Sequence, residues 1–104
     1  MIEQIYQMSV GNERIIEKVI QDENLHYNHI VLGKGESLPE HFSNSNVYLT
    51  VLRGTLSIGL NAQQIHEYAA GRILKIPFNT KMNIKNSHDD ILEFIIVKVP
   101  APKN

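Results

Sequence analysis

From residue 26 onward this chain is a succession of short runs of branched and aromatic residues, each closed by glycine, proline or asparagine. Residues 26–32 end at Gly33-Lys34-Gly35, and residues 47–52 end at Arg53-Gly54 with residues 55–60 directly behind. A turn at Asn61-Ala62-Gln63 leads into residues 64–68. Residues 72–76 stop at Pro77, residues 82–85 are brief, and residues 91–99 form the strongest run. Short strands at a spacing of roughly 8–12 residues, with turn residues between them, predict an all-β barrel or sandwich. Pro100 and Pro102 close the ordered chain, because neither can donate to a sheet ladder.

Period-two alternation supports the strands. Leu56, Ile58 and Leu60 share one face while Thr55, Ser57 and Gly59 share the other, and Met82, Ile84 and Asn86 alternate with Asn83 and Lys85. Residues 12–24 carry two patterns at once. Ile15, Ile16, Val19 and Ile20 recur at helical spacing behind a possible N-cap at Asn12, and the same branched residues suit a strand.

A chain of 104 residues with 42% apolar and 20% charged residues reads as one globular domain over 1–104, with a core spanning about 24–99. Ten basic and eleven acidic residues give a net charge of −1, and no block of Lys/Arg favours a phosphate backbone or an anionic bilayer. Neither nucleic acid nor membrane is an expected partner. The absence of cysteine rules out disulfides, thiolate metal sites and a cysteine nucleophile. The first residues lack a signal-peptide core, and residues 94–97 fall far short of the ~20 apolar residues of a membrane helix. A cytoplasmic setting is the expectation.

Two blocks, residues 35–54 and 71–86, carry a family resemblance. Gly35 is followed after five residues by His41, and Gly54 closes the first block; Gly71, Pro77 and Asn86 punctuate the second. The spacing resembles the two signature motifs of the cupin family, in its small single-domain, RmlC-like form. The resemblance implies a jelly-roll barrel (double-stranded β-helix), and it places a strand in residues 12–24. It also implies pairing as a homodimer through the sheets. Edge strands and apolar residues in the exposed phase, such as Tyr48, Leu52 and Phe94, agree with a second copy covering one face.

In cupins these motifs carry a metal site, and here the framework is kept while most ligand positions differ. His41 stands at the first histidine, Ser43 at the second, Val47 at the glutamate and Met82 at the third histidine; Asn79 stands at the internal glycine of the second motif. Serine is a poor neutral ligand, valine is none, and a thioether suits Cu(I) rather than Zn²⁺ or Fe²⁺. No metal or other cofactor is expected. Gly35, Gly54 and Gly71 read as turn glycines, Pro77 as a strand stop, and Asn86 as a side chain tying a turn to the backbone.

Other titratable residues rebuild no obvious centre. Glu40 neighbours His41 and points the opposite way on a strand; His26 and His29 differ by three positions; His66 adjoins Glu67; His88-Asp89-Asp90 reads as a solvated turn. Glu93 shares a face with Ile91, Ile95, Val97 and Val99: if that face lines the barrel Glu93 meets His41, and at the rim it is hydrated. Nucleophile-elbow, P-loop and dinucleotide motifs are missing. The leading expectation is a metal-free small cupin that binds or senses a small organic ligand through His41, Ser43, Val47, Met82 and Glu93. The alternatives are a cupin-type isomerase, lyase or dioxygenase using His41 with non-standard partners, and a dimeric structural or interaction protein.

Overall fold

The computed structural model describes residues 1–103 and, among them, holds nine strands and no helix. The strands are β1 (Ile15–Gln21), β2 (His26–Leu32), β3 (His41–Phe42), β4 (Asn46–Arg53), β5 (Thr55–Leu60), β6 (His66–Ala69), β7 (Ile73–Ile76), β8 (Lys81–Lys85) and β9 (Leu92–Val99). One sheet has the order β1-β2-β9-β4-β7 and the other β3-β8-β5-β6. Every pairing is antiparallel. Neighbours distant in sequence, such as β2 with β9 and β5 with β8, give the crossing-over of a jelly roll. The ambiguous N-terminal stretch resolves as strand β1: Ile16 sits opposite Ile30 and so joins a sheet face already occupied by core residues. Tertiary pairing, not local spacing, decides that segment.

Register fixes which side chains enter the barrel. Ile30 lies opposite Phe94, Leu32 opposite Leu92, and Leu49 opposite Ile96, and all six are buried in one apolar cluster with Val47, Met82 and Ile84. The even-numbered residues of β9 therefore point inward. Phe94 is 0% exposed, which corrects its expected place in the surface phase; Tyr48 and Leu52 do lie exposed. The outer face of the larger sheet carries Glu17, His29, Val31, Glu93 and Ile95. Residues 1–14 form no strand. They are tied to that outer face where the Ser9 N–H and hydroxyl donate to Glu17 and Arg53 donates to Gly11 O and Asn12 Oδ1.

The motif residues act as joints. Asn86 is fully buried; its Nδ2 donates to Leu32 O at 3.1 Å and Asp90 O at 2.8 Å, and its Oδ1 accepts from His88 N at 3.0 Å. One amide thus holds the β8–β9 connection onto the end of β2. Asn79, at the family's internal glycine position, keeps a left-handed φ of 66°, a conformation that asparagine tolerates better than most residues.

Candidate functional site

The inner faces of β1, β2, β8 and β9, with the β2–β3 connection, leave a cleft of about 210 Å³ at one end of the barrel. Ile16, Ile30, Ile96 and Met82 form its apolar walls, Leu38 and Pro39 its rim, and Asn28, His41 and Lys98 its polar groups. Strand register explains the convergence. Lys18 faces Asn28, Asn28 faces Ile96 and His41 faces Met82, so polar residues near the strand ends share the inward phase of the core. Larger concavities lie under residues 9–14 (540 Å³) and beside Phe78 and Pro100 (450 Å³). The smaller cleft is the chemically distinctive one. It is lined by Asn28, whose Oδ1 is the one buried side-chain oxygen or nitrogen among the described residues without a hydrogen-bond partner. An unpartnered buried amide oxygen costs roughly 1–3 kcal/mol.

His41 is exposed at the rim. Its Nδ1 lies 2.8 Å from Pro39 O. A carbonyl can only accept, so Nδ1 carries the proton and Nε2 is left as the nitrogen not engaged there. Met82 is buried across the strand pair from His41. The Lys98 ammonium is pushed below the ordinary lysine range, first by burial and then by the charge of Lys18.

The five residues expected to bind a ligand part company here. His41 and Met82 meet at the cleft. Val47 is fully buried in the core cluster that also contains Met82 and does not line the cleft. Ser43 is buried, but its hydroxyl donates to Pro77 O at 2.7 Å and accepts from Thr80 N at 2.8 Å, so it fastens the β3–β4 connection to the β7–β8 turn. Of the two alternatives for Glu93 the meeting with His41 does not occur, and its expected place among the ligand-binding residues is corrected: Glu93 faces Val31 on the outer side of the sheet, because the odd-numbered residues of β9 point away from the barrel. Its Oε1 accepts from Arg53 Nε at 2.8 Å and its Oε2 from His29 Nε2 at 2.6 Å.

His29 was not singled out by spacing, yet it is the most enclosed ionisable group described. The ring is 1% exposed and lies between two carboxylates, Glu17 Oε1 at 2.6 Å from Nδ1 and Glu93 Oε2 at 2.6 Å from Nε2. Two ionised carboxylates can only accept, so both ring nitrogens donate and the ring is an imidazolium. Burial pulls the His29 proton affinity down, but the hydrogen bonds to Glu17 and Glu93 and their charges outweigh it and leave it raised. Glu17 is held low, first by the Ser9 N–H and then by His29. Burial raises Glu93, but hydrogen bonds from His29 and Arg53 leave it lowered overall. With both nitrogens committed, His29 has no free position for a substrate. The cluster is a structural ion network. Its visible signal was an ionisable residue within each of three strands, Glu17 in β1, His29 in β2 and Glu93 in β9; Lys98, in the inward phase of β9, was a signal of the same kind.

The positions that the two motifs assign to metal ligands do not form a donor set for a divalent metal. His41 is one strong donor, Met82 offers a thioether, Val47 lies in the core and the Ser43 hydroxyl is already engaged. Among the described residues no group of three or more His, Cys, Asp or Glu is placed to hold an ion.

Similarity to known proteins agrees with this architecture. No protein-family model matches the chain. The uncharacterized protein MJ0764 of Methanocaldococcus jannaschii is 43% identical over 104 residues, covering 99% of this chain and 90% of its relative. The crystal structure of MJ0764, an RmlC-like cupin with a double-stranded β-helix fold, superposes with a TM-score of 0.95 over 98% of this chain and 94% of that one. A double-stranded β-helix protein of Klebsiella pneumoniae, 17% identical, aligns with a TM-score of 0.80 over 95% and 82% of the two chains. A cupin-superfamily protein of Desulfitobacterium hafniense, 14% identical, aligns with a TM-score of 0.75 over 89% and 83%. At those identities the last two show a shared fold alone. The chain belongs to the RmlC-like cupin family of double-stranded β-helix proteins.

Proposed function

We propose that the protein binds a small organic molecule in the cleft at the barrel mouth. The observation that carries this reading is the unpartnered Asn28 Oδ1 beside the apolar walls of Ile30, Ile96 and Met82. A polar group that cannot be satisfied from within the chain, set in an apolar cleft, favours a ligand that brings a donor and an apolar body together. An acid–base enzyme has less support, because Glu93 lies on the other face and, among the described residues, His41 hydrogen-bonds only Pro39 O.

Native mass spectrometry of freshly purified protein is expected to show a non-covalent adduct that denaturation removes. Asn28→Leu replaces the orphan amide with an apolar side chain, so the variant is expected to gain about 1 kcal/mol of stability while losing the adduct. A bare chain from mass spectrometry, together with Met82 methyl signals unmoved by every fraction of a metabolite extract, would sink the reading.

The working unit is proposed to be a homodimer. Val10 is 94% and Ile73 69% exposed, and Ile2 and Ile5 in residues 1–14 and Tyr48 on β4 are also uncovered. A second copy would remove this apolar surface from water at about 25 cal/mol per Å². Light scattering at micromolar concentration is expected to give twice the 11.9 kDa chain mass, and Tyr48→Glu with Ile73→Glu to weaken the pair at least about tenfold. A wild-type monomer at high micromolar concentration would count decisively against it.

A further inference from the structure

We infer that the ligand of the barrel-mouth cleft is a small organic acid, its carboxylate received by Lys98, its apolar end buried among Ile30, Ile96 and Met82, and a hydroxyl donating to Asn28. This rests on the ligand-binding reading above and names the ligand's class.

The first ground is an uncompensated cation in a partly buried position. Lys98 lies in the inward phase of β9, facing His26 on β2 and Val47 on β4, and lines the cleft. It joins none of the ion pairs formed among the described residues; Lys18, Arg72, Lys75 and Lys85 join none either but are exposed, whereas Lys98 is partly buried. Buried charges are normally paired, because desolvation is costly without a counter-charge.

The second ground is the sign of everything else that faces the cleft. Lys18 enters the same face opposite Asn28, His41 stands at the rim, and no Asp or Glu lines the cleft. Glu40, next to His41, is 3.9 Å from Lys81. One ammonium group, Lys98, and the His41 imidazole line an apolar floor, with the exposed Lys18 on the same sheet face outside it, so the site repels cations, leaves neutral ligands a cation to desolvate, and rewards an anion. The proton affinity of Lys98 is lowered first by burial and then by the charge of Lys18, and a bound carboxylate would oppose both.

The third ground is the donor requirement of Asn28. Its Oδ1 accepts but is closed to solvent, so the side chain must turn toward the cleft to offer it; a bare carboxylate then leaves it unsatisfied, whereas a hydroxyl on the acid meets it. Small aliphatic hydroxy acids carry all three features.

The test uses the folded wild-type protein with methyl-labelled Met and Ile and three probes: 2-hydroxy-3-methylbutanoate, its uncharged amide, and 3-methylbutanoate. The hydroxy acid is expected to move the Met82 and Ile96 methyl signals. The amide should bind at least about tenfold more weakly, from loss of a charge-assisted hydrogen bond, and 3-methylbutanoate severalfold more weakly, from loss of the hydroxyl. Lys98→Met should erase the preference of acid over amide. Should that variant fail to fold, the Lys98 Cε signal of the wild type gives the answer: the acid should raise its titration midpoint and the amide should not. Equal binding of acid and amide would overturn the anion assignment and leave the ligand-binding reading in place. Silence toward all three probes, with Met82 still responding to a metabolite extract, would do the same. Silence toward both probes and extract would overturn the assignment and the reading beneath it.

Discussion

His29→Leu is expected to destabilise the protein by about 3–5 kcal/mol, the typical consequence of removing one partner from a buried ion pair. Leucine fills a similar volume, so the loss is electrostatic and not a cavity effect. Glu17 and Glu93 would keep their places, 23% and 16% exposed, without the cation that each touches at 2.6 Å. Arg53 continues to serve Glu93, and Ser9 continues to serve Glu17, so the two carboxylates suffer unequally. For a domain whose total stability is of the order of 5–15 kcal/mol this is a large fraction. A melting temperature lower by about 15 °C or more should result. Converting the carboxylates as well, in a Glu17→Gln, His29→Leu, Glu93→Gln variant, should recover part of the loss, since the uncompensated charges are then gone. Urea unfolding of the three proteins decides the matter. A single variant as stable as the wild type would show that the cluster is not ionic.

The same network gives stability a pH optimum with defined sides. His29 has its folded proton affinity raised above the ordinary value of 6.5, so its contribution is complete below that pH and is lost as pH rises through the folded value. Glu17 and Glu93 are lowered from 4.5, so theirs is complete above that pH and is lost as pH falls through their folded values. Maximum stability should therefore lie between 4.5 and 6.5, with decline on both sides. In His29→Leu the alkaline decline belonging to this group disappears, and the difference from wild type narrows as pH rises. Since Ser9 is held by Glu17, and Gly11 and Asn12 by Arg53, cleavage by a protease within residues 9–14 should also become faster at alkaline pH.

The fold was largely legible and the candidate site much less so, for a physical reason. Strand lengths and the turns at Gly35 and Gly71 follow from chemistry within a few residues, so they are legible locally; the tie from Asn86 to Leu32 and the approach of Gly54 to Ile91 are long-range. Whether Glu93 or Phe94 points into the barrel depends on the absolute phase of β9, and alternation alone gives only the relative phase. Opposite Ile30, Phe94 goes inside and Glu93 outside; a one-residue slip would have placed Glu93 beside the core. His29, Glu17 and Glu93 meet only because β1, β2 and β9 are neighbours, a pairing between residues far apart in sequence. Ser43 shows a second limit. Motif spacing sets it at a ligand position, but a hydroxyl bound to Pro77 and Thr80 serves the scaffold and not the cleft.

Gly54→Ala is expected to cost more than about 3 kcal/mol, because two separate penalties fall on one methyl group. The residue has a φ of 78°, a left-handed conformation that costs a non-glycine residue roughly 1–2 kcal/mol. A Cβ there would also stand 2.2 Å from Ile91 O, 3.0 Å from Ile91 C and 3.1 Å from Leu92 Cα. All three are backbone atoms where the chain enters β9, the strand held between β2 and β4 at the centre of the larger sheet. A side chain could rotate away; this backbone would have to shift, carrying with it the register that aims Phe94, Ile96 and Lys98 inward. Gly35→Ala and Gly71→Ala separate the two penalties, since those glycines have φ values of 77° and 96° and nothing within 4 Å of the added Cβ. Each should lose only the conformational part, roughly 1–2 kcal/mol. Thermal unfolding should therefore rank Gly54→Ala well below the other two, with the Met82 and Ile96 methyl signals displaced in that variant alone. Three equal losses would mean that the contact with Ile91 is relieved at no cost, and that Gly54 is kept for its φ alone.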